Sequence, residues 1–193
     1  MIQDIISKLK IQLNDMQSAS VKAMTQGDHD LVILSPTGSG KTLAYLLPLA
    51  EKLVANDTLQ AVVLVPGREL AIQSYNVWKN MGTGLRAAVC HGGRPTMDEH
   101  LELRKVKPQI VFATPGRLVD HLEKGNLETS NVKWLIIDEF DTPVRDKKHH
   151  NKRGQKVGSL MEILYLYICK SIYYKNNHYD YRLQSYRIVL YYR

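Results

Sequence analysis

The sequence predicts an α/β fold in which a parallel β-sheet is covered by helices on both faces. Short apolar runs alternate with longer amphipathic runs from residue 31 to residue 137. The apolar runs are nearly continuous, which is typical of parallel strands that are buried on both faces. A glycine-rich turn, SPTGSGKT at residues 35–42, joins the first strand to a helix, which is the connection expected in such a sheet.

Strands and helices alternate along the chain after two N-terminal helices. Apolar spacing predicts those two helices over residues 2–13 and 16–26, with Asn14-Asp15 as the cap of the second. Strands are predicted at residues 31–34, 61–65, 87–90, 109–113 and 132–137. The helices between them are predicted at residues 43–54, 69–79, 97–104 and 117–123. Because ligands of such sheets bind at the carboxyl ends of the strands, we expect the functional residues there.

The basic excess of the chain lies entirely in its C-terminal part. The formal net charge is +7, but residues 1–141 carry 15 basic and 16 acidic side chains, whereas residues 142–193 carry 11 and 3. Nine of the 11 tyrosines also follow residue 141. We therefore predict a main domain over residues 1–141 and a basic, tyrosine-rich tail over residues 142–193. The net charge is no evidence that the main domain binds nucleic acid.

The apolar runs, the cysteines and the histidines of the sequence indicate in which cellular compartment the protein is expected. No apolar run approaches the roughly 20 residues of a membrane span, and the first 13 residues have no signal-peptide apolar block. Cys90 and Cys169 are far apart, and the seven histidines show no metal-ligand spacing. These features favour a cytoplasmic protein without a membrane partner, and no obligate oligomer is evident.

The turn at residues 35–42 has the residues of a phosphate-binding loop (P-loop). Glycine lets backbone N–H groups face phosphate oxygens, and the start of the following helix adds a partial positive charge. Lys41 would reach the β- and γ-phosphates, and the Thr42 hydroxyl would ligate Mg²⁺. The loop begins with Ser35 in place of glycine, and this small residue fits there. The predicted nucleotide contacts are Ser35, Pro36, Thr37, Gly38, Ser39, Gly40, Lys41 and Thr42.

Two carboxylates follow the last predicted strand of the main domain. Asp138 suits a hold on Mg²⁺ beside the phosphates, and Glu139 would orient or deprotonate an attacking water. Surface acids that end a strand are the alternative interpretation of this pair taken alone. The phosphate loop upstream favours the catalytic interpretation.

Six motifs, in order, resemble those of the DEAD-box RNA helicases. The sequence at residues 138–141, DEFD, resembles the Asp-Glu-Ala-Asp signature, and residues 35–42 resemble motif I. PGRELA at residues 66–71 is similar to motif Ia, with Gly67 where the family has threonine. The remaining matches are Gly92-Gly93 with the Gly-Gly element, Thr114-Pro115-Gly116-Arg117 with motif Ib, and Gln17 with the Q-motif glutamine, in a Q-motif region at residues 1–30.

This resemblance implies a RecA-like domain of the P-loop NTPase class that binds ATP, Mg²⁺ and RNA. Gln17 would read the adenine edge, Lys41, Asp138 and Glu139 would be catalytic, and Thr42 and Asp138 would hold the metal. A single strand or short duplex of RNA would be gripped by its backbone, without sequence readout. The residues implied for this contact are Pro66, Gly67, Arg68, Gly92, Gly93, Thr114, Pro115, Gly116 and Arg117.

The chain departs from the family pattern chiefly by what it lacks. The family has a Ser-Ala-Thr motif and a second RecA-like domain after the acidic motif, and neither is found here. We therefore expect an incomplete, truncated helicase domain that is not competent for unwinding by itself. The alternatives are a non-catalytic module that binds nucleotide or RNA, and another class of P-loop ATPase.

The tail has two interpretations. It is either aberrant sequence without a role, or it continues the fold with a helix at residues 157–172 and a strand at residues 186–192. In this family a strand lies between the phosphate-loop strand and the acidic strand. Residues 186–192 are the best candidate for that position.

Overall fold

The computed structural model describes residues 1–27, 30–36, 38–138 and 187–192, the last range as backbone only. Its strands form one parallel sheet in the order β1-β6-β5-β2-β4-β3, which confirms the predicted α/β class. The strands are β1 Leu31–Leu34, β2 Ala61–Leu64, β3 Ala87–Cys90, β4 Ile110–Ala113, β5 Trp134–Ile137 and β6 Arg187–Tyr192. The helices are α1 Ile2–Leu9, α2 Asp15–Gln26, α3 Lys41–Lys52, α4 Arg68–Met81, α5 Thr96–Val106 and α6 Pro115–Glu123.

Burial along the strands follows their position in the sheet. Every residue of β2, β4 and β5, which lie inside the sheet, is buried. The edge strands β1 and β3 alternate between more and less buried residues. Continuous burial is therefore confined, among these five strands, to those inside the sheet, although the edge strands are apolar as well.

The helices divide between the two faces according to the direction of each crossover. The chain moves across the sheet in one direction from β1 to β2 to β3, and α3 and α4 pack on one face with α1 and α2. It then returns from β3 to β4 to β5, and α5 and α6 pack on the other face. Right-handed connections between parallel strands require this change of face when the direction reverses. None of the helices in the described part of the chain is long and apolar enough to cross a membrane.

The C-terminal strand β6 completes the middle of the sheet. It runs parallel to both of its neighbours, with Leu31 of β1 opposite Val189 and Trp134 of β5 opposite Arg187. This is the position, between the phosphate-loop strand and the acidic strand, for which residues 186–192 were the best candidate. The helix that we predicted at residues 157–172 lies outside the described residues.

The first helix is shorter than predicted. It ends at Leu9, because Lys10 adopts a left-handed conformation (φ 53°) and its N–H turns back to the carbonyls of Ile6 and Ser7. Residues 11–13 then connect to Asn14, whose side chain caps α2. Apolar spacing alone does not show this end, since Ile11 and Leu13 continue the helical pattern.

Candidate functional site

Five of the predicted motif segments meet at one edge of the sheet. Each follows directly on a strand, and since all strands are parallel, their carboxyl ends lie together. The segments begin at Ser35 after β1, Val65 after β2, His91 after β3, Thr114 after β4 and Asp138 after β5. Two of the predicted site residues, Thr37 and Glu139, lie outside the described residues.

The phosphate loop is held open by two glycines with positive φ. Gly38 has φ 81° and Gly40 has φ 83°, a region that other residues enter only with strain. A Cβ at Gly38 would meet nothing within 4 Å, whereas a Cβ at Gly40 would collide with the side-chain amide of Gln17. Gly38 therefore faces open space, and Gly40 permits the close approach of α2.

Lys41 places its ammonium inside this loop. The Nζ atom donates hydrogen bonds to the carbonyl oxygens of Ser35 (3.0 Å) and Pro36 (2.8 Å), and the residue is only 8% exposed. The Ser35 and Ser39 hydroxyls, 2.6 Å apart, close the loop across its base. An ammonium has three N–H donors, so one remains beyond the two that the carbonyls accept. The loop thus concentrates positive charge at the start of α3.

Gln17 joins α2 to the loop. Its Oε1 accepts the Asn14 N–H (3.0 Å) and completes a capping box, while its Nε2 donates to the Gly40 carbonyl (3.1 Å). The Asn14 side chain also donates to the Ser39 carbonyl (3.0 Å). The amide of Gln17 therefore fixes the end of the phosphate loop, and its contact with adenine stays a prediction.

Asp138 lies two strands from the phosphate loop. It follows β5 and Ser35 follows β1, with β6 between them, which corresponds to about 10 Å across the sheet. Its carboxylate is buried, and its Oδ2 lies 3.1 Å from the Tyr45 hydroxyl of α3. A carboxylate and the Thr42 hydroxyl are hard oxygen ligands of the kind that Mg²⁺ prefers. The residues present therefore fit a magnesium-bound nucleotide.

Arg68 is an open cation at the same edge. It is the first residue of α4, it is exposed, and among the described residues its side chain makes no hydrogen bond or ion pair. Its Nη1 lies 2.9 Å from the place that a Cβ on Gly93 would occupy. Gly93, with φ 96°, therefore gives Arg68 room beside the loop that follows β3.

Arg117 has the opposite surroundings. Its side chain is 11% exposed, and Nη2 donates to the Arg94 carbonyl (2.7 Å) while Nη1 donates to the Thr96 hydroxyl (2.5 Å). Its Nε lies 3.5 Å from Oε2 of Glu99. The guanidinium is thus committed to the protein and ties the start of α6 to the loop before α5.

A comparison with protein families decides the class of this chain. Residues 14–170 match the profile of the family described as "DEAD/DEAH box helicase". The chain belongs to this family. The match continues past residue 141 into the predicted tail at residues 142–193, and it ends before β6. Membership sets aside the alternative that the chain is a P-loop ATPase of another class.

Curated DEAD-box relatives match about two thirds of the chain at moderate identity. An ATP-dependent RNA helicase of Dictyostelium discoideum, ddx54, is 40% identical over 131 residues, which cover 65% of this chain and 12% of the relative. The ATP-dependent rRNA helicase rrp3 of Emericella nidulans is 44% identical over 131 residues, which cover 65% and 28%. The chain therefore spans between about an eighth and a little over a quarter of these two helicases.

Solved structures of the family share the fold. The structure titled "DEAD-box helicase Mss116 bound to ssRNA and UDP-BeF" superposes with a TM-score of 0.81 at 24% identity, over 98% of this chain and 37% of that one. A DEAD-box protein from the hyperthermophile Methanococcus jannaschii superposes with a TM-score of 0.73 at 26% identity, over 99% and 47%. Both support the RecA-like arrangement that the motifs imply.

Sequence reasoning missed one buried carboxylate, Glu99, which lies between the loop after β3 and helix α6. Glu99, only 1% exposed, accepts the His91 N–H at Oε1 (3.1 Å) and meets His121 Nε2 at Oε2 (2.9 Å). The Asn126 amide lies 3.1 Å from His121 Nδ1, so Nδ1 accepts that hydrogen bond and the Nε2–H group donates one to Glu99. In an amphipathic helix such a residue looks like an ordinary surface acid, and only packing shows otherwise.

Hydrogen bonds within this buried cluster hold the loops together. Ligand atoms of Cys90, Glu99 and His121 lie within 4.8 Å of one another. Burial, and then the charges of Glu99 and Glu102, raise the pKa of the Cys90 thiol to about 12, so this thiol is neutral near pH 7. The histidine and the carboxylate already satisfy each other. Glu99 therefore links the end of β3 to α6.

Proposed function

We propose that this chain is the ATP-binding RecA-like domain of an RNA helicase and that it contacts the RNA backbone. The observation that carries the proposal is the meeting of three parts at one sheet edge: the phosphate loop with Lys41, the Asp138 carboxylate, and the open Arg68 beside Gly93. The names of the curated relatives, ATP-dependent RNA helicases, support the choice of ATP and RNA as ligands.

The nucleotide half of the site follows from the loop. Its backbone N–H groups, the start of α3 and the Lys41 ammonium would bind the phosphates. Thr42 and Asp138 would hold Mg²⁺, which when bound neutralises charge that develops on the phosphates. Gln17 would keep the last turn of the loop in place through the Gly40 carbonyl. Glu139 would orient the attacking water.

The RNA half of the site is built from loops after β2, β3 and β4. Arg68 supplies a cation, and Gly92, Gly93, Thr114 and Gly116 would supply backbone N–H groups and a hydroxyl to phosphates. Such contacts read the shape and charge of a strand and not its bases. Arg117 and Glu99 would hold these loops at the right separation.

The nucleotide proposal is tested by titrating the chain with a fluorescent ATP analogue in the presence of Mg²⁺. We expect Lys41→Ala to weaken binding about ten- to a hundredfold, because a hydrogen bond to a charged group contributes about 1.5–3 kcal/mol. Lys52→Ala is the matched control, since Lys52 lies at the far end of the same helix and its ammonium donates to the Thr25 carbonyl. A folded Lys41→Ala chain that binds as tightly as the parent would contradict the proposal.

The RNA proposal is tested by fluorescence anisotropy with labelled oligo(U) and oligo(A) across a range of salt. We expect both to bind weakly and equally, with a salt slope that Arg68→Ala lowers by about 0.7, the contribution of one phosphate contact. Arg104→Ala is the control, because Arg104 lies in the last turn of α5, at the opposite edge of the sheet. A strong preference for one base, or an unchanged slope in Arg68→Ala, contradicts backbone recognition by this surface.

Turnover separates an active ATPase from a module that only binds. Release of phosphate that rises with RNA and is lost in Glu139→Gln identifies the chain as catalytic. Binding of both ligands without such release identifies the non-catalytic module.

A further inference from the structure

We propose that Tyr45 is a positioning residue that orients the Asp138 carboxylate for Mg²⁺-dependent nucleotide binding, an inference that rests on the proposed function. Tyr45 follows Lys41 by one turn of α3 and is completely buried. Its hydroxyl lies 3.1 Å from Oδ2 of Asp138. The helix that carries the phosphate-loop lysine thus also carries the group that contacts the metal-binding carboxylate.

The direction of this hydrogen bond follows from the neighbours of the hydroxyl. The Tyr45 oxygen lies 3.1 Å from Asp138 Oδ2 and 3.4 Å from the Ser74 hydroxyl. A phenol has one proton, and an ionised carboxylate can only accept, so the proton of Tyr45 goes to Asp138. The Ser74 hydroxyl can then donate to the Tyr45 oxygen. Two consecutive hydrogen bonds thus run from Ser74 to Tyr45 and from Tyr45 to Asp138.

Burial strengthens these two hydrogen bonds. Ser74 and Tyr45 are fully buried and Asp138 is 3% exposed, so water does not compete for these groups. A hydrogen bond to a charged acceptor is strong in such surroundings, and a buried hydroxyl without a partner is costly. The buried neighbours of Tyr45 in α3, Ala44, Leu46 and Leu47, are all apolar. Packing alone would be served as well by phenylalanine, so the hydroxyl has a separate role.

That role is to orient a metal ligand before the metal arrives. Groups that hydrogen-bond a ligating side chain fix its rotation, and their loss typically lowers metal affinity about 10- to 100-fold. Tyr45 holds one oxygen of Asp138, so the carboxylate does not need to be ordered when Mg²⁺ binds. Phosphate contacts made by Lys41 and the loop backbone do not depend on this bond.

The same hydrogen bonds connect Asp138 to α4, the helix that carries Arg68 of the proposed RNA surface. Ser74 lies in α4, the helix that begins at Arg68. Loss of the Ser74 hydroxyl leaves the bond between Tyr45 and Asp138 in place. We therefore expect Ser74→Ala to have a smaller effect than Tyr45→Phe.

The test is a Mg²⁺ titration of fluorescent ATP-analogue binding with the full chain. In Tyr45→Phe we expect the Mg²⁺ concentration for half-maximal binding to rise about 10- to 100-fold, while binding in EDTA stays equal to that of the parent. Tyr75→Phe is the matched control, because Tyr75 packs against Phe112 through its ring. Near-ultraviolet circular dichroism checks that each variant is folded.

A double-mutant cycle with Asp138→Asn distinguishes positioning from packing. If Tyr45 acts through Asp138, then Tyr45→Phe should cause no further change in Mg²⁺ dependence in the Asp138→Asn background. An unchanged Mg²⁺ dependence in Tyr45→Phe, or an equal loss in EDTA, would overturn the inference alone. If the parent chain shows no Mg²⁺-dependent binding, the proposed function fails and the inference falls with it.

Discussion

Arg68 and Arg117 look equivalent in the sequence, since each stands at the start of a helix after a strand. Their surroundings differ: Arg68 is open, whereas Arg117 contacts Glu99, Thr96 and the Arg94 carbonyl. A cation that has no partner among the described residues is available to a phosphate. A cation that neutralises a buried carboxylate is part of the fold.

This difference predicts opposite effects on stability. Arg117→Ala leaves Glu99 buried with one partner fewer, and we expect it to lower the free energy of unfolding by about 3 kcal/mol, near the lower end for a broken buried ion pair. Arg68→Ala should change it by about 0.5 kcal/mol or less, as exposed substitutions do. Urea denaturation followed by circular dichroism measures both. Equal stability losses in the two variants would show that the burial of Arg117 does not matter.

Helix α2 acts as a clamp on the phosphate loop, at the scale of an element. Its capping box is built from Asn14 and Gln17, and both residues also bond loop carbonyls, at Ser39 and Gly40 respectively. The cap that begins the helix is therefore the same structure that holds the loop. Stability of α2 and geometry of the loop should change together.

Asn14→Ala is expected to lower stability by about 1 kcal/mol, the usual effect of losing an N-cap, and also to weaken ATP binding. Gln26→Ala, at the exposed other end of the same helix, should do neither. Thermal unfolding and the ATP-analogue titration provide the two readouts. Weaker ATP binding is the informative result, because a helix cap without a role in the loop would alter stability only.

At the scale of the whole molecule, the sheet depends on a strand from the far end of the chain. β6 is the only described neighbour of β1, and it also pairs with β5. Without β6, the phosphate-loop strand would lose its backbone pairing within the described sheet. The folding of the nucleotide site is therefore linked to residues 187–192.

We expect Val189→Pro to abolish cooperative unfolding and ATP binding, because proline cannot donate to the ladder of an interior strand. Val189 pairs with Leu31 on one side and Ile136 on the other. A chain that ends at Tyr192 is the control and should behave as the parent. Amide hydrogen exchange in β1 gives a direct measurement, and protection of β1 that survives in Val189→Pro would refute the role of β6.

The sequence by itself determined what depends on near neighbours. Apolar runs specified the strands, glycines specified the turn at Gly38 and Gly40, and the position of Asp138 after an apolar strand placed it at the carboxyl edge. These features are local because backbone conformation and side-chain periodicity are set by adjacent residues. The order of motifs added the family, and the fold class followed from both.

Tertiary structure alone decided which polar side chains meet. Tyr45 and Asp138 are 93 residues apart, and the partners Glu99 and His121 are 22 apart. Each of these residues has an unremarkable local sequence. Their contacts exist because helices from different crossovers pack on one sheet, and local spacing carries no information about that packing. The burial of Arg117 has the same cause, which is why the sequence alone grouped it with Arg68.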